Sequence, residues 1–524
     1  MDRTDRVKRM EFTPPTDGTA PDTGDIASLT GDLAERADAY AAAPLLNCLL
    51  REVAQPCRDS DGSRTYRLPG GGRLLRVRGG RRPTAPEVYA ADGWQRIGHP
   101  ELVKLVTEEL RRYTGLSNDE LPAEMIDSRE AVAALLAARD RAPVPEDPYV
   151  RSEQSLVTGH PYHPAPKARG GGPVASWLPY APEAHARFPL VLLGVREDVA
   201  VEEGDTSALG ALGQAPPGYR LLPAHPWQLD LVGRDLAGAF TDGRLLRLGT
   251  TDRAVWPTAA VRTVHIPDAD LFLKFSLDVR ITNDVRRLWR RDLRELRRTD
   301  TAVVTAFGRL PGPAAWLSDR GYRTAAFAFE ELAVVVRDGL GEHLVPGSTP
   351  LLAAALAEGF GGNPLDGPVD PALWWEAYLR QVVPPALGAF ARHGVVLEAH
   401  LQNSLIAVDA DGMPVQALFR DAEGVKLVPD VPRAAGWERL VYCLVVNHLG
   451  EIAAALAERH PGLDPWPAAR RELARQELPE AAALLTSPTV PGKTNLLLRW
   501  TGADGAAARY QPLPNPLVTT RIPR

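Results

Sequence analysis

One short segment, residues 398–403, constrains the fold more than any other part of the sequence. It reads Glu-Ala-His-Leu-Gln-Asn, which places four polar side chains in six positions between two apolar runs. Apolar flanks of this kind predict a buried or half-buried strand. Because alternate residues of a strand share a face, we expect Glu398, His400 and Gln402 to point the same way.

A returning strand is expected to bring two more charged groups to the same place. The sequence Asp-Ala-Asp-Gly at 409–412 predicts a turn, and residues 413–421 predict a strand that ends in Arg420 and Asp421. Burial of so many polar groups costs free energy unless each group is paired. The predicted hairpin therefore indicates a bound polyanion or a metal ion. A buried hydrogen-bonded network without any ion is the structural alternative.

The composition is that of a soluble protein with several packed domains. A chain of 524 residues holds about two to four domains, and a net charge of −6 argues against a generic nucleic-acid binder. The sequence has no run of about 18 apolar residues, so we expect no transmembrane helix. Residues 1–25 are polar and lack the apolar core of a signal peptide, so we expect a disordered tail and a cytoplasmic protein. The low, odd number of cysteines fits a reducing compartment.

Changes in residue pattern divide the rest of the chain into three units. The stretch Ala-Pro-Val-Pro-Glu-Asp-Pro ends the first unit at residue 148, a mixture of strand and helix patterns follows, and helical patterns dominate from Trp316. The exception in the third unit is the hairpin at 395–421. We predict an α+β fold with units at residues 26–148, 149–314 and 315–524.

A glycine- and proline-rich loop at 159–172 carries two histidines, a lysine and an arginine. Its residues His160, His163, Lys167 and Arg169 lie in a stretch that excludes regular structure. Donor-rich loops with glycines suit contact with phosphate or carboxylate groups. The spacing of the two histidines also fits metal binding, although no third ligand is near, and turn or capping histidines are the structural alternative.

A third polar stretch runs from residue 262 to residue 286. Residues 270–282 alternate strictly and predict a strand, with Lys274 and Thr282 on its polar face. We expect a helix to begin at Asn283, with Arg286 in its first turn. A cation is unfavourable there because of the helix dipole, so Arg286 and the local backbone N–H groups predict an anion site.

Two other features are open to a structural interpretation. Arginines recur along residues 287–298, which either bind nucleic acid or form the solvated face of a helix, and the interspersed acids favour the second. The sequence His-Pro-Trp-Gln at 225–228 is either a structural turn or a wall of the site.

The charged residues of these motifs indicate which ligands the site binds. Many cations and a few acids, with no Walker loop and no G-x-G-x-x-G after a strand, indicate a nucleoside triphosphate held by side chains. Cationic and imidazole groups are expected to hold the phosphates and a carboxylate substrate: Arg262, Lys274, Arg286 and His400. Oxygen ligands suited to Mg²⁺ come from Glu398, Asn403 and Asp421. No serine or cysteine nucleophile with an adjacent base is evident, which favours direct attack between bound substrates.

These motifs occur together in one known family. The patterns G-H-P-x-H-P-x-x-K-x-R-G, H-P-W-Q, R-T…K…I-T-x-x-x-R and E-x-H-x-Q-N…R-D appear in order between residues 159 and 421. In that order they resemble the siderophore synthetases that act without nonribosomal peptide synthetases, the IucA/IucC type. The sequence K-T-N-L-L-L-R at 493–499 is also similar to the ending of that family.

The resemblance implies a cupped-hand fold with a thumb (26–148), fingers (149–314) and a helix-rich palm (315–524). It implies that ATP and Mg²⁺ are used to adenylate a carboxylate, such as citrate or a citrate- or succinate-derived acid. An amine or hydroxyl then displaces AMP, and the enzyme is expected to be a homodimer.

The same resemblance assigns roles to single residues. The implied nucleotide contacts are His160, Lys167, Arg169, Arg262, Lys274, Thr282, Asn283 and Gln402. The implied substrate contacts are Thr263, Arg286 and His400, and the implied metal ligands are Glu398, Asn403 and Asp421. Of these residues, Arg286, His400 and Lys274 are expected to act in catalysis.

One position departs from the family, and two other functions compete with this one. The family often has serine two residues before the arginine of the R-T motif, where this chain has Ala260, and Thr258 or Thr263 is a candidate replacement. A kinase-like phosphotransferase is the first rival, but its pattern needs aspartate where Gln402 stands. A nucleic-acid-binding protein is the second, and the net negative charge opposes it.

Overall fold

The N-terminal part of the chain is an antiparallel five-stranded sheet packed with three helices. The computed structural model describes residues 23–57, 62–503 and 510–518, with side chains from residue 31 onward, so the predicted tail at 1–25 lies almost entirely outside the described residues. The elements are α1 (Thr23–Glu52), β1 (Gln55–Pro56), β2 (Arg64–Arg67), β3 (Leu74–Arg78), β4 (Thr84–Ala90), β5 (Gly93–Arg96), α2 (His99–Thr114) and α3 (Glu120–Arg139). The strands follow one another in chain order across the sheet.

The central part of the chain contains most of the strands. Its elements are α4 (Pro148–Glu153), α5 (Val174–Trp177), β6 (Val191–Arg196), β7 (Ala200–Gly204), β8 (Tyr219–Ala224), α6 (Pro226–Thr241), β9 (Leu245–Thr250), β10 (Trp256–Pro257), β11 (Thr263–Ile266), β12 (Leu271–Phe275), β13 (Arg280–Ile281), β14 (Asp284–Val285), α7 (Arg290–Phe307), β15 (Ala315–Leu317), β16 (Asp319–Ala325) and β17 (Val334–Asp338). Three of the strands form the small sheet β8-β6-β9.

A six-stranded antiparallel sheet forms the centre of this part, in the order β10-β11-β12-β17-β16-β7. Strands β16 and β17 thus return to the central sheet after α7. The predicted boundary at residue 314 does not coincide with a break between sheets, and the prediction of mostly helical structure from Trp316 is wrong for residues 319–338. Strand β12 is buried on both faces rather than one, because the sheet is covered on both sides.

The C-terminal part combines helices with a four-stranded sheet. Its elements are β18 (Thr349–Leu352), α8 (Ala353–Glu358), α9 (Pro371–His393), β19 (Val395–Val396), β20 (Ser404–Val408), β21 (Pro414–Arg420), β22 (Lys426–Leu427), α10 (Arg433–Val441), a π-helical segment (Tyr442–Leu449), α11 (Gly450–Arg459), α12 (Trp466–Ala474), α13 (Pro479–Leu484), β23 (Thr489–Lys493), α14 (Asn495–Trp500) and β24 (Tyr510–Pro514). The sheet order is β15-β21-β20-β18, with β15 parallel to β21. The α+β class predicted from the sequence is confirmed.

The last helix leaves this part and packs into the N-terminal core. Leu496 and Trp500 of α14 belong to the same buried cluster as residues of α1, α2 and β3. The buried carboxylate of Glu52 accepts hydrogen bonds from the backbone N–H groups of Leu496 and Leu497, both at 2.9 Å. Residues far apart in sequence therefore complete one core.

The helix formed by residues 433–459 is long and apolar enough, by length and composition alone, to cross a membrane. Its apolar window is 72% buried inside the protein. A core helix of a soluble protein has the same properties.

The sequence His-Pro-Trp-Gln is a structural turn at the start of α6. The Nδ1 atom of His225 accepts a hydrogen bond from the backbone N–H of Trp227 at 3.2 Å, which caps the helix. The imidazole of His225 packs edge-on against Tyr180 and Phe188. Gln228 accepts from the backbone N–H of Asp278 and donates to the backbone of Glu331, so it fastens the helix to neighbouring loops.

Several buried histidines make the fold sensitive to acid. Burial lowers the pKa of His225 from 6.5 to about 3. It lowers the pKa of three others from 6.5 to about 4, namely His99, His265 and His448. Between pH 6.5 and these values the unfolded chain binds protons that the folded chain does not. The free energy of unfolding is therefore unaffected by these histidines above pH 6.5. It decreases as the pH drops below that value, by about 1.4 kcal/mol per pH unit for each histidine.

We expect the melting temperature to fall steeply between pH 6.5 and pH 5 at constant ionic strength. The variant His265→Phe should flatten this dependence, because it removes one of the histidines whose pKa is lowered. Phenylalanine should fit the position, because the ring of His265 stacks on Phe272 at 4.6 Å and its buried Nδ1 has no hydrogen-bond partner among the described residues. A melting temperature that does not change over this pH range would contradict the expectation.

Candidate active site

A cluster of buried charges lies where the six-stranded sheet faces the end of β21. Lys274 on β12 donates to Asp421 Oδ1 at 2.5 Å and to Glu423 Oε2 at 2.7 Å. Both carboxylates follow β21 directly in sequence. The cluster therefore joins the six-stranded sheet to the end of the hairpin β20–β21, and it brings together Lys274 and Asp421, two of the predicted site residues.

Asp421 is held by its backbone and by a second cation. Its φ of 81° is in the left-handed region, and the backbone N–H of Ala422 donates to Asp319 Oδ2 at 2.9 Å. Arg337 bridges Asp319 (2.7 Å) and Asp421 (3.3 Å). Burial alone would raise the pKa of Asp421, but Lys274 and Arg337 outweigh it and hold that pKa well below its usual range.

Two guanidinium groups lie next to each other beside this cluster. Arg262 donates through Nη1 to the backbone carbonyl of Arg286 and through Nη2 to Glu423, both at 3.0 Å. The guanidinium of Arg286 donates to the hydroxyl of Thr282 at 2.7 Å. Burial and the neighbouring Arg262 lower the pKa of Arg286. Among the described residues, no carboxylate forms an ion pair with Arg286, so its charge is available to an anionic ligand.

The predicted helix start at Asn283 is wrong. Residues 280–285 form the short hairpin β13–β14, with Thr282 at a φ of 61°, and the helix begins only at Arg290. The backbone of Arg286 pairs with residues 277 and 279, which holds the hairpin in place of a helix. The anion site around Arg286 is therefore made of side chains without a helix N-terminus.

The segment 398–403 is also not a strand, although its burial alternates as predicted. It runs as an extended segment into a 3₁₀ turn (Leu401–Asn403), with Glu398, His400 and Gln402 on the less buried side. Side chains satisfy its carbonyl groups in place of a neighbouring strand: His448 Nδ1 donates to Ala399 O (2.8 Å), and Arg420 donates to Gln402 O (2.9 Å). The hairpin β20–β21 and its turn are confirmed.

Three ionisable groups lie close enough to influence one another on this side. Burial, and after it the neighbouring His400 and Lys493, lower the pKa of His160 to about 3. Burial also lowers the pKa of His400, against the opposite effect of Glu398 and Asp421. Both imidazoles are therefore neutral at pH 7. The pKa of Lys493, on β23, is lowered by burial and raised by Glu398.

Amide groups tie the loop at His160 to the β13–β14 hairpin and to the C-terminal segment. Asn283 donates to Asn495 Oδ1 at 3.1 Å, and Asn495 donates to the backbone carbonyl of Tyr162 at 2.6 Å. The Nδ1 atom of His160 accepts from the backbone N–H of Tyr162 at 3.0 Å. Asn283 and His160 therefore lie in one connected network of hydrogen bonds.

Lys167 and Arg169 lie elsewhere, in a buried ion triad with Glu183. The ammonium of Lys167 contacts Glu183 and the backbone carbonyl of Leu156, and Arg169 donates to Glu183 at 3.0 Å. Both cations are about 95% buried or more. Burial would raise the pKa of Glu183, but the two cations lower it to about 2. We therefore assign Lys167 and Arg169 a structural role, which corrects the nucleotide contact expected for them.

The missing serine hydroxyl at Ala260 is not replaced by Thr258. The hydroxyl of Thr258 donates to the backbone carbonyl of Thr263 at 2.9 Å and so closes the turn before β11. Thr263 is 3% exposed and stands opposite Lys274 in the register of β11 and β12. Its buried position beside Lys274 agrees with the site, but its contact with substrate stays a prediction.

Two of the three proposed metal ligands form ion pairs in the structure, and the third is buried. Glu398 pairs with Arg439 at 2.8 Å, Asp421 pairs with Lys274, and Asn403 is 7% exposed. Within the described ranges, no three His, Cys, Asp or Glu side chains converge on one point. Asp421 and Glu423 nevertheless flank a single ammonium, and two carboxylates are what Mg²⁺ needs when phosphates complete its shell.

The arginine-rich helix α7 has a solvated face rather than a continuous basic surface. Arg291 pairs with Glu295 at 3.8 Å, and Arg298 pairs with Asp430. Its other face is buried through Leu293, Leu296 and Val303. The structural interpretation of these arginines is therefore preferred over nucleic-acid binding.

Sequence reasoning missed two residues of the site. Glu423 contacts both Lys274 and Arg262, but no periodic pattern marks it. Lys493 stands in the quoted C-terminal motif, yet its distance in sequence from His160 and His400 hid its position beside them.

Two family models match the chain. The model of the IucA / IucC family matches residues 148–358, and the model of the ferric iron reductase FhuF-like transporter matches residues 372–508.

The chain is similar to curated siderophore enzymes over most of its length. It is 30% identical over 439 residues to the L-2,3-diaminopropanoate–citrate ligase of Staphylococcus aureus. This alignment covers 71% of this chain and 75% of that protein. It is 28% identical over 571 aligned positions to a rhizobactin siderophore biosynthesis protein of Rhizobium meliloti, which covers 91% and 95%.

The fold is that of a solved aerobactin synthetase. The ATP-bound synthetase IucA from a hypervirulent pathotype of Klebsiella pneumoniae superposes with a TM-score of 0.77 at 21% identity, over 92% of this chain and 100% of that chain. At this identity the likeness establishes the shared fold. The expected cupped-hand architecture is confirmed.

Proposed function

The chain belongs to the IucA/IucC family of siderophore synthetases, and from that premise we propose that it is an ATP-dependent carboxylate–amine ligase of siderophore biosynthesis. A bound carboxylate attacks the α-phosphorus of ATP, which forms an acyl adenylate and releases pyrophosphate. An amine or hydroxyl then attacks the acyl carbon, and AMP leaves with the bonding electron pair.

The observation that carries the proposal is the half-buried guanidinium of Arg286, which forms no ion pair with a carboxylate among the described residues. Partial burial of a guanidinium without an ion-paired carboxylate costs free energy, and an anionic substrate would offset that cost. Arg286 lies beside Arg262 and near the Lys274 cluster, so one carboxylate and the α-phosphate can meet there. Arg262 and Lys274 are assigned to the other phosphates, and Thr282 fixes the direction of the Arg286 guanidinium.

His400 serves the site as a neutral imidazole. Its lowered pKa lets it donate or accept a single hydrogen bond at pH 7, which suits a carboxylate that loses charge on acylation. His160 faces the same site as a second neutral imidazole, and Gln402 and Asn283 provide amide donors. Thr263 is assigned a supporting contact with the substrate.

Citrate is the carboxylate most strongly supported, because a relative that shares most of its length with this chain is named as a citrate ligase. The experiment measures ATP- and Mg²⁺-dependent pyrophosphate release with citrate, a citrate monoamide, 2-oxoglutarate and a succinylated hydroxamate, with hydroxylamine as nucleophile. Pyrophosphate and AMP in equal amounts with one acid would support the proposal. Release of ADP instead would contradict it and favour a phosphotransferase.

Mg²⁺ is proposed as the second cofactor, held by Asp421 and Glu398 with Asn403 and by phosphate oxygens. When bound, the ion neutralises charge on the phosphates and leaving pyrophosphate. We expect Asp421→Asn to raise the Mg²⁺ concentration needed for half-maximal pyrophosphate release. Asp430→Asn, which alters an exposed pair with Arg298, is the matched control. An unaltered Mg²⁺ titration in Asp421→Asn would remove that residue from the metal site.

A cytoplasmic location and a homodimer complete the proposal. Three free cysteines support a reducing compartment. Light scattering coupled to gel filtration tests the dimer, and a monomeric mass at working concentration would contradict it.

A further inference from the structure

Glu423 stands between the palm and the two fingers cations assigned to the nucleotide. Its Oε2 atom accepts from Lys274 at 2.7 Å and from Arg262 at 3.0 Å. The side chains of the two cations are 5% and 7% exposed, whereas that of Glu423 is 28% exposed. One carboxylate oxygen therefore contacts both cations, and its side chain is more exposed than either of theirs.

Glu423 and its neighbour Asp421 each contact two cations. Asp421 pairs with Arg337 as well as with Lys274. In the described parts of the chain, the Glu423 carboxylate receives hydrogen bonds from Lys274 and Arg262 alone. It lies on the short 3₁₀ turn Ala422–Gly424, at the edge of the cluster. Glu423 is thus the carboxylate that an anion bound to both Lys274 and Arg262 must displace.

A phosphate group that binds Lys274 and Arg262 must take the N–H donors that Glu423 now occupies. Once displaced, Glu423 and Asp421 would both face a polyanion, which costs electrostatic free energy in a partly buried site. A divalent cation removes that cost, because it is bound by one or two carboxylates together with phosphate oxygens.

Resting on the nucleotide site proposed above, we propose that Glu423 is a specificity-determining residue that makes nucleotide binding conditional on a divalent cation. Its carboxylate takes the place of an anion in the empty site. It excludes metal-free ATP and other free polyanions, and it yields to the nucleotide–metal complex. Free polycarboxylates and inorganic phosphates in the cell would then leave the phosphate subsite empty.

The test is isothermal titration calorimetry of the full chain with ATP, once with excess EDTA and once with excess Mg²⁺. We expect the wild type to bind ATP much more weakly in EDTA. Glu423→Gln keeps the size of the side chain and removes its charge, so we expect it to bind metal-free ATP about tenfold more tightly than the wild type, which is about 1.4 kcal/mol. The Kd for Mg²⁺–ATP should change less, so the Kd for metal-free ATP divided by the Kd for Mg²⁺–ATP should be smaller in the variant than in the wild type.

Two further variants keep the test decisive. Glu480→Gln, which alters an exposed pair with Arg433, should match the wild type in both buffers. Glu423→Asp retains the charge on a shorter side chain, so its ratio of the two Kd values should lie between those of the wild type and Glu423→Gln. If the glutamine variant does not fold, the aspartate variant provides the test.

The outcomes separate this inference from the proposed function. If the wild type binds Mg²⁺–ATP but neither Glu423 variant gains affinity for metal-free ATP, Glu423 is a structural residue and the ligase proposal stands. If the wild type binds ATP in neither buffer, the assignment of the nucleotide site is wrong, and both the proposed function and the role of Glu423 are contradicted.

Discussion

Replacing Arg286 by alanine should abolish most of the pyrophosphate release while leaving the protein folded. The guanidinium is half-buried and contacts a hydroxyl, but it forms no ion pair with a carboxylate among the described residues, so its removal leaves no buried acid unpaired. Loss of one preorganised donor at a reacting group costs roughly a hundred- to a thousand-fold in rate. We therefore expect kcat/KM for the carboxylate to fall by that factor with a melting temperature equal to or above that of the wild type.

The structure supplies sharp controls for this variant. Arg262 contacts the main-chain carbonyl of residue 286, which alanine retains. Arg291→Ala, whose side chain is 85% exposed, should leave the rate unchanged. Arg286→Lys keeps the charge but not the planar fork, so we expect partial activity with a raised KM. Full pyrophosphate release by a folded Arg286→Ala protein would show that the carboxylate binds elsewhere.

Replacing Arg420 by methionine should destabilise the protein by about 3–5 kcal/mol. Arg420 and Glu153 form an ion pair at 2.6 Å, with side chains 4% and 2% exposed. Glu153 also accepts from the hydroxyl of Tyr149 at 2.8 Å and from the backbone N–H of Ala259 at 3.0 Å. Without Arg420, a buried carboxylate loses the one cation that pairs with it among the described residues, and the junction between α4 and β21 is weakened.

Denaturant unfolding followed by tryptophan fluorescence measures this effect. The double variant Glu153→Gln, Arg420→Met should recover part of the stability, because it removes the unpaired charge. Arg433→Met breaks an exposed pair with Glu480 and should cost less than about 1 kcal/mol. A loss of similar size in the single Arg420 and Arg433 variants would show that the Arg420–Glu153 pair contributes no more than a surface pair.

Local patterns predicted the hairpin β20–β21 and the residues that it brings to the site. The alternation of apolar residues and the Asp-Gly turn are local features, so Asp421 was placed beside His400 without knowledge of the rest of the chain. Burial also alternates along segment 398–403 as predicted, although side chains form hydrogen bonds with its backbone carbonyl groups in place of a neighbouring strand.

Long-range pairing explains what the sequence did not show. Asn283 and Asp284 look like the start of a helix, but the backbone of Arg286 is held by residues 277 and 279, and a hairpin forms. The charges of Lys167 and Arg169 fit a phosphate loop, but the buried partner Glu183 takes both. Neither partner choice can be deduced from local spacing, because each depends on which segments the fold brings together.

The return of the C-terminal segment to the N-terminal core has a consequence for biosynthesis on the ribosome. Lys493 reaches the site from β23, and a few residues later Leu496 and Trp500 fill the core formed by α1, α2 and β3. A growing chain that has not yet made these residues has an N-terminal core with a gap and a site without its lysine. Folding of the first unit and assembly of the active site are therefore completed in the same late step, so incomplete chains would be inactive.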